Sequence, residues 1–177
     1  MQFLSYICNI KYTETMKERK IEIPLKVYTY EELSDADRQL VDKAKEMTYH
    51  SYAPYSHFSV GAAVLLDNGE TVCGSNQENA AYPSGICAER TTLFFANSQY
   101  PDVAVTTIAI AARNESGAFV EQPVSPCGAC RQVMLESQWR GGRPLRILLY
   151  GNQCTYELDR VEDLLPLCFT ADDMAVE

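Results

Sequence analysis

The sequence is short of positive charge. Fifteen Lys and Arg stand against 24 Asp and Glu, a formal net charge of −9. Affinity for nucleic acid rests on neutralising phosphates, so this balance works against a polyanionic partner and favours small, neutral or cationic ones. The basic run "MKERK" at 16–20 reads as a solvated segment. Histidine is scarcer still: His50 and His57 are the only two, and neither has the spacing of a metal site. No apolar stretch approaches the roughly 20 residues of a membrane span. The opening "MQFLSYICNI" lacks a basic region and an adequate apolar run, so no signal peptide is expected. Cysteine is more plentiful, but seven is an odd number and only Cys127 and Cys130 are close-set, which argues against a secreted disulfide framework. A soluble cytoplasmic protein without a membrane partner is the expectation.

What is there suffices for one domain. The chain has 177 residues, 46% hydrophobic and 22% charged, enough to bury a core. Residues 1–30 read as an N-terminal extension, in which Met16 is a candidate true start and Ile21, Ile23, Leu25 and Val27 alternate as in a short strand, confined to an edge by Pro24. Ser34 and Asp37 mark a helix start, and Ala36, Leu40, Val41, Ala44 and Met47 keep helical spacing up to a stop before Pro54. "FSVGAAVLLDNGETVCGS" reads as a hairpin turning at Asp67-Asn68-Gly69. "NQENAAYPSG" is a loop, Gly85 to Asn97 a helix with Ile86, Leu93 and Phe94 buried, and 103–112 a buried strand. Residues 127–138 are helical, "LRILLYG" is a strand, and "DRVEDLLP" closes with a short helix. This predicts one α/β domain over 31–177, a central mixed sheet of about five strands covered by helices.

Two of these helices begin beside cysteines. Ser84 precedes "GICAER", and Ser125-Pro126 precedes "CGACRQ", placing Cys87, Cys127 and Cys130 in first turns. A helix N-terminus carries partial positive charge and favours thiolate. Cys127 and Cys130, at i and i+3, share a helix face and can bind one ion. A redox dithiol would need neither Cys87 nor a second helix. The only other candidate ligands are His50, His57 and the scattered Cys8, Cys73, Cys154 and Cys168, so three ligands with an open fourth position fit a catalytic zinc better than a closed structural one. Glu89 lies about 200° around the helix from Cys87; helical geometry makes it a poor co-ligand and does not fix where it points.

"CAE" followed by "PCGAC" resembles the zinc nucleoside deaminase signature. "YAPYSHFSVGAAVL", "GSNQENAAYPSGICAERT", "SPCGACRQVM" and "LLPLCF" resemble, in order, successive segments of cytidine deaminase over roughly residues 40–170. The resemblance implies a three-layer α/β/α fold and one zinc ion on Cys87, Cys127 and Cys130. It also implies hydrolysis of cytidine and 2′-deoxycytidine to the uracil nucleosides and ammonia, with Glu89 shuttling the proton. Arg90 and Arg131, each next to a site residue, would compensate the charge of three thiolates. Asn76 and Glu78 match positions that bind the ribose, Phe58 the aromatic wall against the base, and Ala80 and Ala88 backbone contacts to it. Tyr82 and Phe169 match positions that complete neighbouring sites in a homotetramer. Taken alone, Phe58 would pass for core, and Asn76 and Glu78 for turn chemistry. Cysteine as the first ligand resembles the short, tetrameric branch; the branch with His there is longer and carries a second domain. A deaminase of the cytosine-bearing antibiotic blasticidin S is the alternative, against which the Asn76/Glu78 pair speaks. A non-catalytic zinc-stabilised module would need a fourth ligand and a basic face.

Overall fold

The computed structural model describes residue 18 and residues 20–174; Cys8 and Met16 lie outside the described residues. Six strands form one sheet in the order β1-β6-β5-β4-β2-β3. These are β1 (Lys26–Tyr28), β2 (Ser59–Leu66), β3 (Thr71–Ser75), β4 (Val105–Arg113), β5 (Arg146–Tyr150) and β6 (Thr155–Leu158). The pairs are antiparallel except β4 with β5, which run parallel. The helix α3 (Gly128–Gly141) makes the crossover between those two, as a parallel pair requires. The hairpin turns at Asp67–Gly69, with Gly69 at φ 86°.

Strand alternation divides the core into two layers. Ala62, Val64, Leu66, Ile108, Ile110, Ile147 and Leu149 pack with α2 (Ala88–Gln99) and α3. Their neighbours Ala63, Ala109, Ala111, Leu148 and Tyr150 pack against Leu40, Val41 and Ala44 of α1 (Asp35–Met47). The result is a three-layer α/β/α sandwich. Helix α1 starts where the sequence places it: Ser34 Oγ accepts from the Asp37 N–H at 3.2 Å. Ala36 is exposed, and Asp37 is buried in its stead, because its carboxylate is paired with Arg146 on β5. Helix α1 lies so close to the sheet that a Cβ at Gly61 would stand 2.1 Å from the Ala44 carbonyl oxygen.

Several boundaries differ from expectation. Helix α2 begins at Ala88, not Gly85, since Gln77 and Ile86 exchange both backbone hydrogen bonds at 2.9 Å and hold the chain extended up to Cys87. The N-caps are accordingly Cys87 and Cys127, not Ser84 and Ser125. Phe94 is half exposed, because α2 turns Leu93 and Ala96 to the core. Strand β6 was not expected: it is four residues with Glu157 among them, too short and too polar to stand out by alternation. Strand β1 lies within the region assigned to an extension and joins the sheet edge against β6. Among the described residues, no helix is long and apolar enough to cross a membrane.

Candidate active site

Helices α2 and α3 present their N-termini side by side, and each is capped by a cysteine with no side-chain capping bond. A Ser or Asp there would fold back onto the helix amides; a cysteine leaves its sulfur free and keeps the positive end of the helix beside it. Cys130, one turn into α3, is fully buried. The Cys87 and Cys127 sulfurs are 4.0 Å apart, those of Cys127 and Cys130 3.4 Å, and all three lie within 4.8 Å of one another. Sulfurs bound about 2.3 Å from one tetrahedral zinc stand roughly 3.8 Å apart, so the cluster fits that ion. Among the described residues it is the one such group of three or more potential ligands.

The surrounding charges favour thiolate at Cys87. Its ionisation is drawn down to about 5 by a hydrogen bond from the Cys130 thiol and then by the Arg90 guanidinium, against burial. Cys130 is pushed up correspondingly, as the donor to Cys87 and by burial. Arg90 Nη2 lies 3.9 Å from Cys87 Sγ, while its buried Nε has no partner. Arg131 does not share this task. Its guanidinium donates to the carbonyls of Pro126 (2.9 Å) and Leu164 (2.7 Å) and to Ser125 Oγ (2.8 Å). It ties the approach to α3 down and leaves Arg90 as the counter-charge. Glu89 is 5% exposed, and burial raises its carboxyl above the usual range.

Cys87 and Cys127 open into a cavity of about 490 Å³, whose lining does not include the buried Cys130. Phe58, Asn76, Glu78, Tyr82, Cys87, Ala88, Glu89, Arg90 and Cys127 all line it. The turn before β2 brings Phe58 in: His57 takes the left-handed φ of 54°, uncommon for a residue with a side chain, and donates its N–H to Ala53 O at 3.1 Å. Asn76 knits that turn to the strand end. Its Oδ1 accepts from Ser51 Oγ (2.6 Å) and the Val60 N–H (2.8 Å), and its Nδ2 donates to Phe58 O (2.9 Å). Glu78 Oε2 accepts from the N–H groups of Tyr55 (2.9 Å) and Ser56 (3.3 Å); the Ser56 hydroxyl first, and then these backbone groups, lower its pKa.

Ala80 and Phe169 are not among the lining residues. Ala80 is exposed in the loop before α2, and Phe169 borders a separate cavity beside Trp139. Sequence reasoning also missed lining residues, chief among them Tyr150 and Val124. Tyr150 ends a strand and looks like ordinary core. Val124 reaches the wall because residues 121–123 lie hard against Gly151, whose absent Cβ would stand 2.6 Å from the Pro123 nitrogen.

Residues 34–141 match the family model described as the cytidine and deoxycytidylate deaminase zinc-binding region. The chain belongs to the cytidine deaminase family. It is 41% identical over 139 residues to a cytidine deaminase of Halalkalibacterium halodurans, covering 78% of this chain and 98% of that one. With a cytidine deaminase of Mycobacterium tuberculosis the identity is 35% over 146 residues, covering 82% and 98%. The crystal structure of cytidine deaminase from Burkholderia pseudomallei superposes with a TM-score of 0.64 at 36% identity, over 77% of this chain and all of that one. These cytidine deaminases are spanned almost completely, so the family likeness extends well beyond the zinc motif.

Proposed function

We infer that this protein hydrolyses cytidine and 2′-deoxycytidine to uridine and 2′-deoxyuridine, releasing ammonia, with one zinc ion per chain. The observation that carries this is a group of three cysteine sulfurs, two of which line a nucleoside-sized cavity together with a buried carboxyl. Cys87, Cys127 and Cys130 hold the metal. Zinc, when bound, supplies the Lewis acidity that makes water a nucleophile near neutral pH. Glu89, its pKa raised by burial, takes the proton of that water, passes it to N3 of the ring as C4 is attacked, and delivers one to the departing ammonia. Arg90 offsets the surplus negative charge of three thiolates on a dication.

The base lies against Phe58, with the backbone of Ala88 at its polar edge; Ala80, outside the cavity lining, takes no part in this reading. Glu78 has Oε2 committed to the Tyr55–Ser56 turn, leaving Oε1 for a sugar hydroxyl. Asn76 keeps that turn in place and has one N–H to spare beside it. Among the described residues Arg90 is the only Lys or Arg lining the cavity, so an unphosphorylated nucleoside suits it better than a nucleotide. The exposure of Phe94, Phe95, Trp139, Leu167 and Phe169 supports a homotetramer in which Tyr82 and Phe169 complete neighbouring sites. The catalytic domain, expected over 31–177, also takes in β1 (Lys26–Tyr28) at its sheet edge, and the protein works in the cytoplasm.

The test is the loss of cytidine absorbance on mixing with purified protein, with zinc assayed on the same sample. The expectation is turnover with one zinc per chain, and a Glu89→Gln variant that keeps its zinc while kcat falls by at least about 10²-fold. A Glu89→Gln variant that retains most of its activity would overturn the mechanism.

A further inference from the structure

The sheet ends on an open edge. Among the described residues no strand lies beyond β1. The segment that runs into it, "IEIPLKV" at 21–27, exposes Ile21 (57%), Ile23 (48%), Leu25 (45%) and Val27 (56%). An exposed apolar edge is a template for another strand. Pro24 would blunt it if its nitrogen faced outward.

The ladder places that nitrogen inward. At the β5–β6 turn Gly151 N–H donates to Cys154 O at 2.9 Å. Antiparallel pairing alternates from there, so Tyr156 and Leu158 direct their N–H and C=O groups at β5, while Thr155 and Glu157 direct theirs at β1. Tyr28 and Lys26 stand opposite Thr155 and Glu157, and their backbone groups face β6. Val27 therefore points its N–H and C=O outward, and the two-residue period carried upstream adds Leu25, Ile23 and Ile21. Pro24 falls in the inward phase, so its missing N–H leaves the free edge intact.

We propose that this edge pairs with the same edge of a second copy of the chain, antiparallel about a two-fold axis at Pro24. In this register the segment complements itself: Ile21 meets Val27, Ile23 meets Leu25, and Glu22 meets Lys26, in both directions. The outward residues exchange backbone hydrogen bonds, and the apolar side chains of both copies line up on one face of the sheet. On the other face Lys26, already 3.1 Å from Glu157, gains Glu22 of the second copy on its free side, so that charges alternate across the strands. Glu22 gives up only its 2.8 Å bond to Lys20, between largely exposed side chains, which contributes little in water. A register shifted by two residues sets Glu22 against Pro24 or Tyr28 and loses the charge pair. The segment precedes residue 34, where the match to the family model begins, so the contact is one that the matched region does not supply.

The test puts a cysteine on the axis of the full chain. Opposite Cα atoms of a non-hydrogen-bonded pair stand about 4.5 Å apart, inside the roughly 4.4–6.8 Å range of a disulfide. At residue 20 the two copies are roughly 26 Å apart at about 3.3 Å per residue. Pro24→Cys, Lys20→Cys and the wild type are oxidised at the same low concentration and run on a denaturing gel without reductant. Pro24→Cys is expected to give linked pairs of chains at about tenfold the yield of the other two or more. Adding Glu22→Lys to Pro24→Cys sets Lys against Lys26 and lowers that yield severalfold. Pro24→Cys that stays as single chains, or equal yields at residues 24 and 20, overturns the pairing. If Pro24→Cys does not fold, sedimentation decides: Glu22→Lys is expected to form a smaller assembly than the wild type, and equal masses overturn the pairing. None of these residues lines the cavity, so cytidine turnover of the same samples reports on the deaminase reading separately.

Discussion

A single added methyl at Gly151 should disable the site from outside it. A Cβ there would stand 2.6 Å from Pro123 N and 2.7 Å from both Gln122 C and Glu121 O. All three are backbone atoms, so no side chain can swing away. Ordinary contact begins at 3.4 Å, and the 121–123 segment must retreat by about 0.8 Å. It cannot retreat alone: Asn152 N–H donates to Val120 O at 2.8 Å and Gln153 N–H to Glu121 O at 3.0 Å. Val124 lines the cavity one residue further on, and Cys127 follows at the head of α3. Overpacking of this kind costs about 1–3 kcal/mol of stability, and misplacing catalytic groups by about 1 Å can cost on the order of 10²-fold in rate. Gly151→Ala should therefore lower kcat/KM on cytidine by roughly 10- to 100-fold, with a fall in Tm, and the zinc content of the folded protein would show whether Cys127 has moved off the metal. A Gly151→Ala variant within about threefold of wild type would refute the argument that this close approach places the Val124–Cys127 segment.

Two further outcomes are expected. Burial raises the Asp37 pKa, but Arg146 and Ser34 more than compensate and hold it below the ordinary carboxylate value; a depressed folded-state pKa contributes stability above the unfolded value, lost as pH falls through the folded one. Asp37→Asn should thus cost about 2 kcal/mol in urea unfolding at pH 7, with the difference from wild type shrinking below about pH 4, and a gap that stays constant down to pH 2 would contradict the linkage. Replacing Glu78 with Gln should raise KM for cytidine and deoxycytidine alike by about 10-fold or more while sparing kcat, as expected of a carboxylate that binds the sugar both share; steady-state kinetics showing the loss for cytidine alone would move the contact to the 2′-hydroxyl.

Much of the site could be read from the chain. Cys87, Cys127 and Cys130 stand at the starts of helices, where local capping and dipole physics act, and the order of four motif segments pointed to the family before any fold was known. The hairpin at Asp67–Gly69 and the start of α1 at Ser34 were equally legible, because turn chemistry and capping are decided within a few residues. What lay beyond reach depended on neighbours distant in sequence. Helix α2 starts three residues late because Ile86 pairs with Gln77 across the loop. Arg131 is drawn from the sulfurs by a carbonyl 33 residues away. Tyr150 is core, as its strand suggests, and yet the end of that strand also borders the cavity. The sequence by itself determined which cysteines are suited to share one metal, since that follows from side-chain type and local spacing. Only the tertiary structure decided where Glu89 sits, which arginine faces the thiolates and which residues line the cavity, because these depend on which surfaces the packed layers bring together.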